Sequence, residues 1–157
     1  MRMTAIVILV VAAVAAWAQD GAKVRYPQGY REWAHVKSMV IQEGHPLHES
    51  FGGIHHVYAN EKAHRALEAG KGRYPDGAVF VFDLLEAQSA DNAIVEGPRK
   101  VVGVMQKDAK RFASTGGWGF EGFKGDTQER AVTDMQSCFG CHEPQKERGF
   151  VFSEPRK

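Results

Sequence analysis

The chain predicts an α+β fold, a mostly antiparallel β-sheet with helices packed on one side. Three observations lead there. Ala78 to Leu85 (AVFVFDLL) is a Val- and Phe-rich run directly behind the turn-like Tyr74-Pro75-Asp76-Gly77. Strand-like and helix-like segments mix without the βαβ rhythm of a parallel sheet. Seventeen glycines are spread along the chain and leave no place for a bundle of four long helices.

Asp20 to Pro27 reads as an extended lead-in. Tyr30 to Val40 (YREWAHVKSMV) sets Tyr30, Trp33, Val36 or Lys37, and Val40 at helical spacing, which predicts an amphipathic helix with Trp33 as a core anchor. Gln42 to Gly53 is a polar loop, and Ile54 to Ala59 (IHHVYA) a short strand. Asn60 is a good N-cap for a helix over Glu61 to Ala69, with Gly70 as its stop. In the strand over Ala78 to Leu85, Ala78, Phe80, Phe82 and Leu84 share one face. The other face is also mostly apolar, so this is a central strand.

Glu86 to Pro98 reads as a loop and Arg99 to Asp108 as a second strand, with Gly103 where something approaches closely. Asp108 caps a short helix over Ala109 to Ser114. Gly116 to Phe123 (GGWGFEGF) is a Gly- and aromatic-rich strand. Asp126-Thr127-Gln128-Glu129 has the form of a capping box opening a helix that runs into Cys138. Glu143-Pro144 ends that helix, and Phe150 to Ser153 is a final short strand.

The 157 residues carry 20 Lys+Arg against 19 Asp+Glu, a net charge of +1 that supplies no footprint for nucleic acid. With 43% hydrophobic and 25% charged residues, the composition excludes a disordered tail, a collagen-like fibre and a multi-span membrane protein. The first eighteen residues stand apart. Arg2 precedes an apolar run, Ala5 to Ala16, and Ala16-Trp17-Ala18 supplies a small-x-small cleavage site. The run is shorter than the roughly 20 residues needed to span a bilayer. The expectation is a secretory signal over residues 1–18, one domain over 19–157, a periplasmic or otherwise exported location, and no stable membrane insertion.

The two cysteines fall in the string Cys138-Phe139-Gly140-Cys141-His142, the C-x-x-C-H signature of c-type haem attachment. Each thiol adds across one haem vinyl group. Residues at i and i+3 reach both vinyls from one helical face, and the next residue turns its imidazole to the iron. A zinc site would need a further pair of ligands at matched spacing. A thioredoxin-like pair would need a βαβ context. The expected cofactor is therefore one covalent haem c with its iron, and the expected metal ligand is His142.

Only fifteen residues follow His142, none of them Met or His. A sixth protein ligand would have to come from upstream: His35, His45, His48, His55, His56, His64, Met39, Met105 or Met135. With none of these bound, the iron is five-coordinate and open to small gases.

Several short strings, in order, carry a family resemblance. They are Tyr30-Arg31-Glu32-Trp33, Val57-Tyr58, Asp76-Gly77, Lys107 to Phe112, Trp118-Gly119-Phe120, the haem motif and Val151-Phe152-Ser153. The chain resembles the cytochrome P460 / cytochrome c′-beta family over about Tyr26 to Ser153. The resemblance implies a homodimer, a sheet over the distal haem face, and a five-coordinate iron on His142. One branch of the family cross-links a lysine to the porphyrin and oxidises hydroxylamine. The matching position here is Phe82, and that branch's distal carboxylate falls on Gly103. His55 falls where that branch has a distal-side arginine.

The other branch, c′-beta, caps the distal face with phenylalanine. Phe82 fits that role, with Phe51, Phe80 or Phe120 as partners. The resulting expectation is a haem protein that binds NO or CO under an apolar cap, with NO scavenging as its role. Neutral diatomics enter such a pocket at little desolvation cost, whereas anions lose hydrogen bonds there. The rival readings are an electron carrier with a redox partner and His55 or His56 on the iron, and P460-like oxidation of hydroxylamine or NO. Arg111, Lys107 and Arg148 are candidates to pair with haem propionates.

Overall fold

The computed structural model of the protein describes residues 23–132 and 134–156. The expected signal over 1–18 lies outside the described residues. Six strands form one sheet in sequence order, every neighbouring pair antiparallel. They are β1 (Ala34–Ile41), β2 (Gly53–Ala59), β3 (Val79–Ala90), β4 (Ala93–Lys107), β5 (Trp118–Lys124) and β6 (Arg130–Val132). Among the described residues, the α-helices are α1 (His48–Phe51) and α2 (Glu61–Glu68) between strands and α3 (Met135–His142) after β6. The α+β class is as expected from the sequence.

Several elements differ from the sequence expectation. Tyr30–Glu32 is a single 3-10 turn, and the chain then enters β1 rather than a helix. A bulge between His35 and Lys37 breaks the period-2 alternation of β1, and this irregular spacing imitates a helical one. The expected loop over 86–98 is instead the outer half of the β3–β4 hairpin. Asp91 and Asn92 turn it with φ of 48° and 63°, the two left-handed residues of a tight hairpin turn. All of its residues but the partly buried Gly97 are exposed, so no buried face marked them as strand.

The expected capping box at 126–129 closes a turn, in which Thr127 Oγ1 accepts from Glu129 N at 3.1 Å. Asp134 caps α3 instead, accepting from Gln136 N at 3.1 Å and Ser137 N at 3.3 Å. Helix α3 ends at His142 with Glu143 as its C-cap, as expected, and the chain then tightens into a 3-10 stretch to Arg148, because proline is tolerated in a first turn. Asp108 accepts from Arg111 N at 2.9 Å, opening turns and a 3-10 helix at Ala113–Thr115 rather than an α-helix. The final strand expected over 150–153 is not formed: Phe150 takes a left-handed conformation and the segment joins no ladder.

The core lies on both faces of the sheet. One cluster holds Ala59, Phe80, Met105, Trp118 and Phe120, covered by Ala63 and Leu67 of α2 and by half-buried Cys138 and Phe139 of α3. The opposite cluster holds Val81, Val102, Val104 and Phe123 under Val24, Tyr30 and Phe112. Asp83 is buried with the second. Tyr30 Oη donates to its Oδ2 at 2.8 Å, and Arg99 Nε donates to its Oδ1 at 2.5 Å. Burial pushes the Tyr30 hydroxyl well above its ordinary pKa.

Candidate haem site

Helix α3 presents Cys138 and Cys141 three residues apart on one face, both as free thiols. Cys138 is half-buried against the first core cluster and Cys141 is exposed. Burial raises the pKa of the Cys138 thiol. His142 closes the helix. Its Nδ1–H donates to the carbonyl oxygen of Phe150 at 2.7 Å. That bond fixes the tautomer and leaves Nε2 as the lone-pair atom, the arrangement that orients a metal-binding imidazole. Burial lowers the pKa of His142, which favours the neutral, ligating form. Its ring lies 5.0 Å from that of Phe120 and 4.9 Å from that of Phe152.

The carbonyl that receives this bond is placed by unusual backbone. Gly149 and Phe150 both have φ of 68°. Trp118 Nε1 donates to the Gly149 carbonyl at 3.0 Å and ties the same segment to β5.

On the sheet face shared with α3, one row crosses four strands: Val57, Phe82, Gly103 and Gly122. Two adjacent glycines leave a strip without side chains beside the Phe82 ring. A Cβ on Gly103 would stand 3.2 Å from Phe82 Cδ1. The Phe82 ring meets Phe51 edge-to-face at 5.9 Å and His55 at 4.5 Å. Of the partners expected for Phe82, only Phe51 shows a ring contact with it. Phe80 packs on Tyr74 and Trp118, and Phe120 lies beside His142.

His55 is 1% exposed. Its Nε2–H donates to Phe51 O at 2.5 Å, while Nδ1 is buried without a hydrogen-bond partner. Burial lowers its pKa against the opposing effect of the Phe51 bond. His56 points to the other face, as strand alternation requires. There its ring bridges Ser38 Oγ at 2.7 Å and Glu96 Oε1 at 2.6 Å.

Three of the other candidate ligands are engaged locally. His35 contacts Ser38 at 2.9 Å, His64 approaches Glu68 at 3.9 Å, and Met105 is buried in the core. The three candidate propionate partners also have local partners. Lys107 donates to Gly116 O at 2.8 Å, Arg111 to Lys23 O at 2.9 Å, and Arg148 to Phe152 O at 3.2 Å.

These residues suit a haem on observations of the chain itself. Two free thiols stand on one helical face, one imidazole is oriented with Nε2 free, and the Phe82 ring lies over a glycine of the sheet. Among the described residues, no three His, Cys, Asp or Glu side chains gather to hold a lone metal ion. A haem iron needs no such cluster, since the porphyrin supplies four of its ligands. The Phe150 carbonyl and the Phe152 ring are the site features missing from the sequence reading. Only Gly149, just ahead of them, hinted at a special backbone there.

The fold and site together define a haem protein built on an antiparallel sheet. The chain belongs to the Cytochrome P460 family, whose sequence model matches residues 27–153. Membership implies a haem cofactor. No individual curated protein is similar enough to the chain to match it.

Proposed function

We propose that this is an exported c-type haem protein that binds small neutral gases, NO or CO, at a five-coordinate iron. Cys138 and Cys141 carry the haem through thioethers and His142 supplies the axial nitrogen. The bound group supplies an open coordination position for a diatomic. Phe82 and Phe51 exclude water from the distal side and offer no acid or base. The protein acts in NO scavenging, as a homodimer.

One observation carries this reading. Phe82 and Gly103 are direct cross-strand partners. On the resemblance read from the sequence, they fall at the positions that hold the cross-linking lysine and the distal carboxylate of the hydroxylamine-oxidising branch. Here the pair provides a ring and a hydrogen atom, with no group to cross-link and none to relay a proton.

The test is the optical spectrum of the haem-loaded protein, ferric and ferrous, before and after NO. High-spin spectra of an unmodified c-type haem that change with NO support the reading. A low-spin ferrous spectrum indifferent to NO makes the protein an electron carrier.

A further inference from the structure

His55 has two ring nitrogens with different fates. Nε2 is tied to the Phe51 carbonyl, and because a carbonyl only accepts, Nε2 carries the proton. In the neutral ring Nδ1 is therefore a bare lone pair. The two nitrogens project away from each other across an imidazole, so Nδ1 faces away from Phe51. It is fully buried and finds no partner among the described residues. A buried acceptor left unpaired costs about 1–3 kcal/mol, so such atoms in native proteins are normally answered by a ligand or ordered water. His55 shares its sheet face with Phe82 and lies edge-on to that ring at 4.5 Å.

We propose that His55 is the ligand-selecting residue of the distal face, its Nδ1 accepting a hydrogen bond from an iron ligand that carries a proton. This rests on the haem reading above and adds a second class of ligand to it, small neutral N–H molecules such as ammonia. NO and CO have no proton to donate and gain nothing from His55.

The test uses the haem-loaded wild type and two variants, His55→Leu and His55→Gln. Leucine removes both nitrogens, whereas glutamine keeps an N–H for Phe51 and an acceptor oxygen. Ammonia is titrated into the ferric protein at about pH 9, where the imidazole is neutral, and CO into the ferrous protein. The expected result is a loss of ammonia affinity of about three- to tenfold in His55→Leu, the worth of one hydrogen bond. CO affinity stays within about twofold, and His55→Gln recovers ammonia binding. Unchanged ammonia affinity in His55→Leu overturns the role of His55 while leaving gas binding intact. A wild type that binds no CO overturns the gas-binding reading itself. A low-spin ferric wild type that turns high-spin in His55→Leu assigns His55 to the iron and overturns both.

Discussion

His142 and Phe150 are joined by a 2.7 Å hydrogen bond from the imidazole Nδ1 to the backbone carbonyl, and the chain bends through two consecutive left-handed residues to make it. Glycine adopts this conformation freely, but other residues lose about 1–2 kcal/mol. A Cβ on Gly149 would also stand 2.4 Å from the Gly72 carbonyl. Gly149→Ala is therefore expected to destabilise the protein by about 2 kcal/mol or more. Urea denaturation measures that cost. The iron–histidine stretch of the ferrous protein reports the loosened bond, and an unchanged stretch would show that Phe150 does not orient His142.

The contact between Phe82 and Gly103 predicts a coupled pair. Gly103→Ala pushes a methyl group to 3.2 Å from the ring, and overpacking of this kind costs about 1 kcal/mol. Phe82→Leu alone costs a similar amount, about 1 kcal/mol, because the ring is only half-buried. The double variant should cost less than the two singles together, since leucine vacates the space that alanine enters. A double-mutant cycle by chemical denaturation measures this. Strict additivity would mean that the two side chains do not meet.

Asp83 anchors the back of the same strand. Asp83→Ala takes from Arg99, whose side chain is 7% exposed, the buried one of its two carboxylate partners and leaves it the exposed Asp126, so it should cost about 3 kcal/mol, the low end for a broken buried pair. Tyr30→Phe removes one hydrogen bond to a charged group and should cost about 1.5–3 kcal/mol. Thermal denaturation of the two variants should rank them in that order.

Acid should weaken the fold through His55. Burial holds its folded pKa below the ordinary 6.5, and the nearby charges of Lys100 and His56 push the same way while the Phe51 carbonyl opposes them. Between the folded and unfolded pKa values the unfolded chain binds more protons, so stability rises with pH there and levels off above about 6.5. Stability of the haem-loaded wild type should fall as pH drops from about 7 to 5. His55→Leu should fall less steeply over the same range, and parallel curves for the two proteins would refute a neutral buried imidazole.

The thiols make a chemical prediction. Cys138→Ser and Cys141→Ser should each retain haem through the remaining thioether, and the double variant should release it on denaturation. Mass spectrometry of the denatured chains reads this directly, because a covalent haem stays with the polypeptide mass.

Much of the site was legible because its chemistry is local. The spacing of Cys138, Cys141 and His142 is a property of one helical turn. The alternation that puts Phe82 opposite in facing to Asp83, and His55 to His56, is a property of any extended strand. The Asn60 cap was also readable: its Oδ1 accepts from Ala63 N at 2.9 Å and starts α2 as expected. The helix expected over 30–40 was misread because the bulge in β1 disturbed the strand period. The outer β3–β4 hairpin was misread because solvent-facing strands lack an apolar face.

The sequence by itself determined the α+β class, the central strand and the haem motif, since each follows from short-range spacing of side chains along one element. Only the tertiary structure decided which residues meet. Pairing across four strands aligned Phe82 with Gly103 and Gly122. The fold brought the Phe150 carbonyl back to His142, and it buried His55 with one nitrogen bound and one bare. Those contacts depend on strand register and on a backbone turn at Gly149, where packing and hydrogen-bond satisfaction across distant segments fix what no local pattern encodes.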